Sequence, residues 1–376
     1  MINKETLTEE WIAKVSRDNR RVDKILVEKV IRAMLLVEGL AKSGLSFIFK
    51  GGTSLMLLLD NVRRLSIDVD IVLADRPDRL EDIFNSFVKD QGFSRVQEQK
   101  RNVKSQIEKA HFKFFYAPVH RTTASEDYVL LDVLFESHNY RSVLRRKIES
   151  KFLSTSSEVV LVNVPSPEDL LGDKLTAFAP GTTGVPYFKS GKSMSMEIMK
   201  QLYDIGTLFD VSTDLETIRS TFYKTAKTEI GYRGLKGTTP ADVLEDAYQT
   251  SLCLALRGAE GTTPADVLED AYQTSLCLAL RGADGKGNFI ELQHGIERVS
   301  SFVFSENYHI ERAILDAAKI AYLCHLIPGH EKNIEKFSDV GQIAEGLIQA
   351  PHNTKLNKLK KSNPAAFFYW WKAVSL

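Results

Sequence analysis

Between Phe47 and Leu73 the apolar pattern changes character three times. Phe47-Ile48-Phe49 is a short continuous apolar run, the pattern of a buried strand. Gly51-Gly52 breaks it, and from Thr53 the run Leu55-Met56-Leu57-Leu58-Leu59 continues as a short apolar helix. The period then shortens to two in Asp68-Val69-Asp70-Ile71-Val72, which predicts a second strand. Side chains two apart on a strand share a face, so Asp68 and Asp70 point the same way, about 7 Å apart along the backbone.

Around this stretch, helical spacing predicts helices over 6–17, 21–42 and 79–91. Strand-like runs cover 93–97, 111–119, 128–135 and 158–164. Pro165-Ser166-Pro167 closes the strand-rich part, and helical patterns follow over 167–177, 195–209, 290–305, 311–326 and 331–347. Within them GTTPADVLEDAYQTSLCLALRGAE, Gly237–Glu260, recurs at Gly261–Asp284 with one change, Glu260 against Asp284. Each copy opens on Thr-Thr-Pro-Ala-Asp and closes on Arg-Gly, so each predicts one capped amphipathic helix. Two copies are too few for a solenoid, which needs about three. The predicted fold class is α+β: N-terminal helices over 1–45, a small mixed-sheet domain over 46–165, and an α-helical domain over 166–376 carrying the repeat 237–260 / 261–284.

Composition narrows the function classes. A chain of 376 residues with 43% hydrophobic and 26% charged residues suffices for two ordinary globular cores. The formal net charge of +0 excludes a bulk polyelectrolyte binder, so any nucleic-acid contact must come from a local basic patch. RSVLRRKIESK from Arg141 is the better such patch. In the tail KLNKLKKSNPAAFFYWWKAVSL the aromatics Phe367 to Trp371 either clamp single strands or, the reading favoured, pack on the helices. No apolar run approaches the roughly 18 residues of a membrane span. The opening MINKETLTEEWIAK has no apolar core of the signal-peptide kind. Cys253, Cys277 and Cys324 form no C-x-x-C pair, which fits a reducing cytoplasm and supports no zinc site. His325 and His330, flanking Pro328-Gly329, read as a loop pair.

Two carboxylates on one face among aliphatics repel each other unless a cation joins them. Mg²⁺, or Mn²⁺, is held by one or two carboxylates together with substrate phosphates. Backbone N–H groups at Gly51-Gly52 and the helix start are suited to phosphate. Asp132 in YVLLDVLFE interrupts an apolar strand and is either a core-edge acid paired with an arginine or a third site acid, as metal ligand or as base. Downstream, periodicity alone puts Lys174 on a solvated helix face and Asp204 in a surface ion pair. The loop with Gly181, Gly184, Lys189 and Gly191 is either a lid over a nucleotide or a plain connector.

The pattern G-G-T-S, a spacer, then R-x-S-x-D-x-D resembles the nucleotidyltransferase signature. It is most similar to the AbiE-type (AbiEii/AbiGii) toxins of bacterial type IV toxin–antitoxin and abortive-infection systems. The matching residues are Gly51, Gly52, Thr53, Ser54, Arg64, Ser66, Asp68 and Asp70. A lysine on one helix and Lys-x-x-x-Asp on the next match as Lys174 and as Lys200 with Asp204. The resemblance implies a polymerase-beta-like nucleotidyltransferase domain followed by helices, with the active site in the cleft between them. It implies a nucleoside triphosphate substrate and metal-binding Asp68, Asp70 and Asp132. It implies phosphate contacts from Gly51, Gly52, Thr53, Ser54, Arg64 and Lys189, and catalytic roles for Lys174 and Asp204. Ser54 could also be a site of inhibitory modification. The expected acceptor is RNA, at the 3′ end of tRNA, and the expected partner is a cognate antitoxin. Transfer to a small hydroxylated molecule such as an antibiotic, or a non-catalytic binding module, are the rival expectations.

Overall fold

The computed structural model describes residues 1–59, 64–99, 108–120, 125–258, 288–349 and 353–375. They form two compact units: Met1–Ser166 with Ser301–Asn307, and Pro167–Ser300 with Tyr308–Leu376. The second copy of the repeat, 261–284, lies outside the described residues, as does Cys277.

The first unit is a sheet built on a buried helix. α1 (Glu9–Asp18) is capped by Thr8, whose side chain accepts from Trp11 N. α2 (Lys24–Lys42) begins three residues later than the periodicity predicts. Arg20 and Arg21 take left-handed backbone at φ 58° and 57°, which breaks the helical run. Asp23 then caps α2 by accepting from Ile25 N and Leu26 N. Ile25, in the first turn, is 42% exposed. The body of α2 is buried on every side, including Glu28 and Arg32, which pair at 3.2 Å.

The strands are β1 (Ile48–Lys50), β2 (Val69–Leu73), β3 (Arg95–Glu98), β4 (Lys109–Tyr116) and β5 (Asp127–Phe135), in sheet order β1-β2-β5-β4-β3. Only β2 and β5 run parallel; the other pairs are antiparallel. α3 (Gly51–Leu58) leaves β1 directly, and α4 (Leu80–Phe87) follows β2. Along β4 and β5 burial alternates with period two. Phe112, Phe114, Val129, Leu131 and Val133 face the core shared with α2 and α4, where Phe84 meets Phe112 edge-on at 4.9 Å. The opposite face of the same strands is half-open.

The basic run from Arg141 forms β6 (Val143–Lys147), a strand not expected from its charge, paired antiparallel with β7 (Leu161–Pro165). Ser301–Asn307 returns to this unit: Leu65 N donates to Phe302 O at 2.8 Å, and Phe304 stacks edge-on against Phe152.

The second unit is helical: α5 (Pro167–Ala177), α6 (Ser195–Val211), α7 (Leu215–Arg233), α8 (Pro240–Gly258), α9 (Phe289–Val299), α10 (Ile310–Leu326) and α11 (Pro364–Ser375). α8 is the first copy of the repeat, and its Val243, Leu254 and Ala255 are fully buried. α11 buries Phe367, Phe368 and Trp370 completely, so the tail aromatics are core and not a nucleic-acid clamp. The helix expected over 331–347 does not form. The segment is irregular apart from a turn at Val340–Ile343, because side chains take over its backbone partners. Arg219 Nη2 donates to Glu331 O at 3.0 Å, and Gln342 and Asp339 close a capping box on that turn.

Candidate active site

The turn after β1 is shaped for close approach. Gly51 has φ +79°, and a Cβ there would overlap the Asp70 carboxylate. A Cβ on Gly52 would lie 2.6 Å from Arg64 Nη2 and 2.8 Å from Ser66 Oγ. Gly51 is required by its left-handed backbone and Gly52 is closely packed, and what crowds both is the R-x-S-x-D-x-D segment itself. Thr53 and Ser54 are fully buried. The Thr53 hydroxyl donates to Asp68 O, and the Ser54 hydroxyl donates to Gly51 O at 2.8 Å. The first bond ties the turn to the segment that enters β2, and the second closes the first turn of α3. Arg64 is buried, and its Nη1 donates to Leu65 O at 2.9 Å.

Asp70 is half-buried on the open face of β2, whereas Asp68 is exposed and stands just ahead of the strand, not on it as the alternation predicts. Strand register extends that face into a row. Lys50 on β1 stands opposite Asp70, and Asp70 stands opposite Asp132 on the parallel strand β5. Asp132 in turn stands opposite His111 on β4. His111 Nδ1 lies 2.5 Å from Asp132 Oδ1. The arginine partner conceivable for Asp132 is thus replaced by a histidine. Behind the row Ile48, Val72, Leu134 and Tyr140 make a small apolar cluster on the same face.

These residues suit a hard divalent cation. The donors are carboxylate oxygens, and Gly51 leaves Asp70 the space a side chain would fill. Among the described residues no three His, Cys, Asp or Glu side chains converge on one point. A two-carboxylate arrangement completed by substrate oxygens is the kind these residues offer.

The downstream residues lie in the helical unit. Lys174 Nζ is 2.8 Å from Asp204 Oδ2 and donates to Gln201 Oε1 at 3.1 Å. Their side chains are 8% and 1% exposed, so neither the solvated face nor the surface ion pair expected from periodicity is found. Lys200 pairs with Glu197 at 3.2 Å. Lys189 is exposed on a hairpin of β8 (Phe188–Lys189) and β9 (Lys192–Ser193), turned by Ser190 and Gly191, both left-handed. The first half of that glycine-rich loop is fastened. Asp246 Oδ2 of α8 accepts from Gly181 N at 2.9 Å and from the Thr182 hydroxyl at 2.8 Å. A Cβ on Gly184 would collide with the backbone of Ala177 and Ala179.

Sequence reasoning passed over two features. His111 is a lone histidine in a strand, legible only once register is known. In α10, Asp316 and Lys319 interrupt an apolar helix; Lys319 Nζ lies 2.7 Å from Asp210 Oδ1 and donates to Gly206 O at 3.2 Å.

A Gly-Gly turn pressed against Asp70, with Asp68 just ahead of the same strand, is the arrangement that the nucleotidyltransferase signature describes. The family profile described as nucleotidyl transferase AbiEii toxin, type IV toxin–antitoxin system, matches residues 35–270, more than half of the chain, and the chain belongs to that family. It is similar to JHP933 from Helicobacter pylori, with 16% identity and a TM-score of 0.32, over 58% of this chain and 86% of that one. It is also similar to an antigenic nucleotidyltransferase-like protein from Paracoccidioides brasiliensis, with 14% identity and a TM-score of 0.35, over 57% and 90% of the two chains. No relative was found among the curated proteins. Membership implies a nucleoside triphosphate substrate and a cognate antitoxin. Among the described residues no helix is long and apolar enough to cross a membrane.

Proposed function

We propose that this toxin transfers a nucleotide from a nucleoside triphosphate to RNA, at the 3′ end of tRNA, and so arrests translation and growth in phage defence. Its place of action is the cytoplasm, under restraint by its antitoxin. The observation that carries the reading is the acid row beside the glycine turn: Asp70 against Gly51 on one side and in register with Asp132 on the other.

Asp68 and Asp70, with Asp132, would hold Mg²⁺ or Mn²⁺, which when bound supplies neutralisation of the triphosphate charge. Gly51 and Gly52 offer backbone N–H groups to phosphate oxygens, and Thr53 and Ser54 hold the turn that presents them. Arg64 braces that turn from its place beside Gly52. The acceptor hydroxyl oxygen attacks the α-phosphorus, the bond to pyrophosphate breaks, and the hydroxyl proton passes to a carboxylate of the row. Lys174, oriented by Asp204, and Lys189 are assigned to the same reaction on the family resemblance.

The test is incubation of the protein with total RNA, Mg²⁺ and each labelled nucleoside triphosphate in turn. Label should appear in an RNA band and vanish with Asp70→Ala. No label in any RNA from folded protein would sink the reading, and label on a small hydroxylated compound instead would put the antibiotic-type reaction in its place.

A further inference from the structure

We propose that His111 is a positioning residue, holding the Asp132 carboxylate in the orientation that the metal and the reaction require. The proposal rests on the nucleotidyl-transfer reading of this sheet face and adds to it a residue that the signature does not contain.

Asp70 and Asp132 are direct neighbours across parallel strands, which lie about 4.8 Å apart. Two like charges that close rotate away from each other unless something fixes them. Lys50 flanks the pair on the β1 side and His111 flanks it on the β4 side. The row therefore reads base, acid, acid, base across four strands.

The contact between His111 and Asp132 is short, at 2.5 Å. A carboxylate can only accept, so Nδ1 carries the hydrogen, and this bond sets both the tautomer and the ring angle. Solvation does not require such a bond, because the Asp132 side chain is 35% exposed and within reach of water. What a rigid donor adds is direction. It engages Oδ1 and leaves Oδ2 for another partner.

Lysines were available for the same task. Lys109 and Lys113 sit two residues to either side of His111 on the same face of β4. Neither pairs with Asp132 among the described residues, and Lys113 lies instead over the Tyr128 ring at 4.0 Å. A short planar side chain, itself only 16% exposed, takes the position where a long flexible one would hold the carboxylate loosely. Hydrogen bonds of this kind behind a ligating group tune metal affinity and activity by about 10- to 100-fold.

The experiment uses the full-length protein with His111→Leu, His111→Asn, His111→Gln, Asp132→Ala and the double variant His111→Leu/Asp132→Ala. Free Mn²⁺ is followed by electron paramagnetic resonance during titration, and kcat and KM for the nucleoside triphosphate are measured with RNA as acceptor. His111→Leu should weaken Mn²⁺ binding and lower kcat, each by about 10- to 100-fold, with KM nearly unchanged. His111→Asn places an amide N–H where Nδ1 stood and should recover most of the loss; His111→Gln, whose amide reaches the Nε2 position, should not. In the Asp132→Ala background His111→Leu should change nothing further. Wild-type Mn²⁺ affinity in His111→Leu, equal behaviour of Asn and Gln, or a full extra loss on top of Asp132→Ala would each overturn the proposal. The Asn and Gln comparison decides the matter even where the Leu variant fails to fold. Asp70→Ala separates the two layers: if it retains transfer, the nucleotidyl-transfer reading fails; if it abolishes transfer while His111→Leu is silent, only the positioning role fails.

Discussion

Acidic side chains meet two unlike settings in this protein. On the open face of the sheet, Asp70 and Asp132 are placed side by side, like charge against like, with Asp132 still 35% exposed. In the helical unit, Asp204 and Asp316 are 1% and 0% exposed, and each lies within ion-pair distance of a lysine of the chain, Lys174 and Lys319. The first arrangement keeps two like charges adjacent at a face open to water and to a ligand cation. In the second the charges have been taken out of water, on condition that they stay together. The same residue type thus serves a ligand in one unit and the fold in the other. The distinction is measurable, because removing a carboxylate should cost activity in the first setting and stability in the second.

The largest effect is expected at Asp70. Asp70→Ala should lower nucleotidyl transfer by about a thousandfold or more, the loss of several kcal/mol of charge stabilisation. Thermal unfolding should move by no more than about 1 kcal/mol, since relief of repulsion from Asp132 offsets what is lost. A large drop in melting temperature would break the comparison, for it would make Asp70 a fold residue.

The mirror case is Asp204. Asp204→Ala strands the Lys174 ammonium in the interior and should destabilise the helical unit by about 3–5 kcal/mol in chemical denaturation. Replacing both partners by apolar residues of similar size, Lys174→Met with Asp204→Leu, should restore most of that stability. The double variant also asks whether the pair does chemistry: a folded double variant without activity assigns Lys174 to the reaction, and a folded active one confines it to the core.

These two settings were not equally legible. Strand alternation, a local rule, predicted Asp70 on the open face of β2, but it carried Asp68 into the strand as well, and β2 begins only at Val69. Asp132 was visible as an odd residue in an apolar strand, but its register against Asp70 is a pairing between residues far apart in the chain, which period alone does not specify. His111 gave no signal, since a histidine alternating with Phe112 and Phe114 looks like any half-buried strand position. Lys174 was read as solvated because helical period shows which residues share a side and not what covers that side. α6 is covered on most of its circumference, so Asp204 and its lysine are interior. The segment 331–347 failed as a helix for a similar reason. Arg219 and Lys336 donate to backbone carbonyls around it, and those contacts come from distant parts of the chain.

Asp246 sharpens the comparison as a half-buried acid with no lysine ion pair among the described residues. Burial pushes its carboxyl from 3.8 up to about 6, against the opposing hydrogen bonds from Thr182 and Gly181. The folded chain therefore keeps a proton that the unfolded chain releases, and stability should fall as pH rises from about 4 to about 6. Asp246→Asn keeps an acceptor for both Gly181 and Thr182 and removes the proton. It should flatten that pH dependence and stabilise the protein at pH 7 by on the order of 1–3 kcal/mol. Unfolding at pH 4.5 and 7.5 with both proteins checks it; a parallel shift at the two pH values would show that the acid is not titrating.

The smallest effect belongs to the cations that stand where the sheet acids do, outside the core. Arg145 and Arg146 on β6 are exposed and form no ion pair among the described residues, and Lys147 beside them has only Glu149 at 3.9 Å. Exposed charges without partners add little to stability, so Arg145→Gln with Arg146→Gln should leave unfolding within about 0.5 kcal/mol of wild type. Their expected value lies in meeting RNA phosphates. The dependence of RNA transfer on salt should then become shallower by a slope of about 1 for each arginine removed, with rates converging on wild type at high salt. Unchanged slopes would leave these arginines as plain solvated surface and would restrict the functional charge of the first unit to the row from Lys50 to His111.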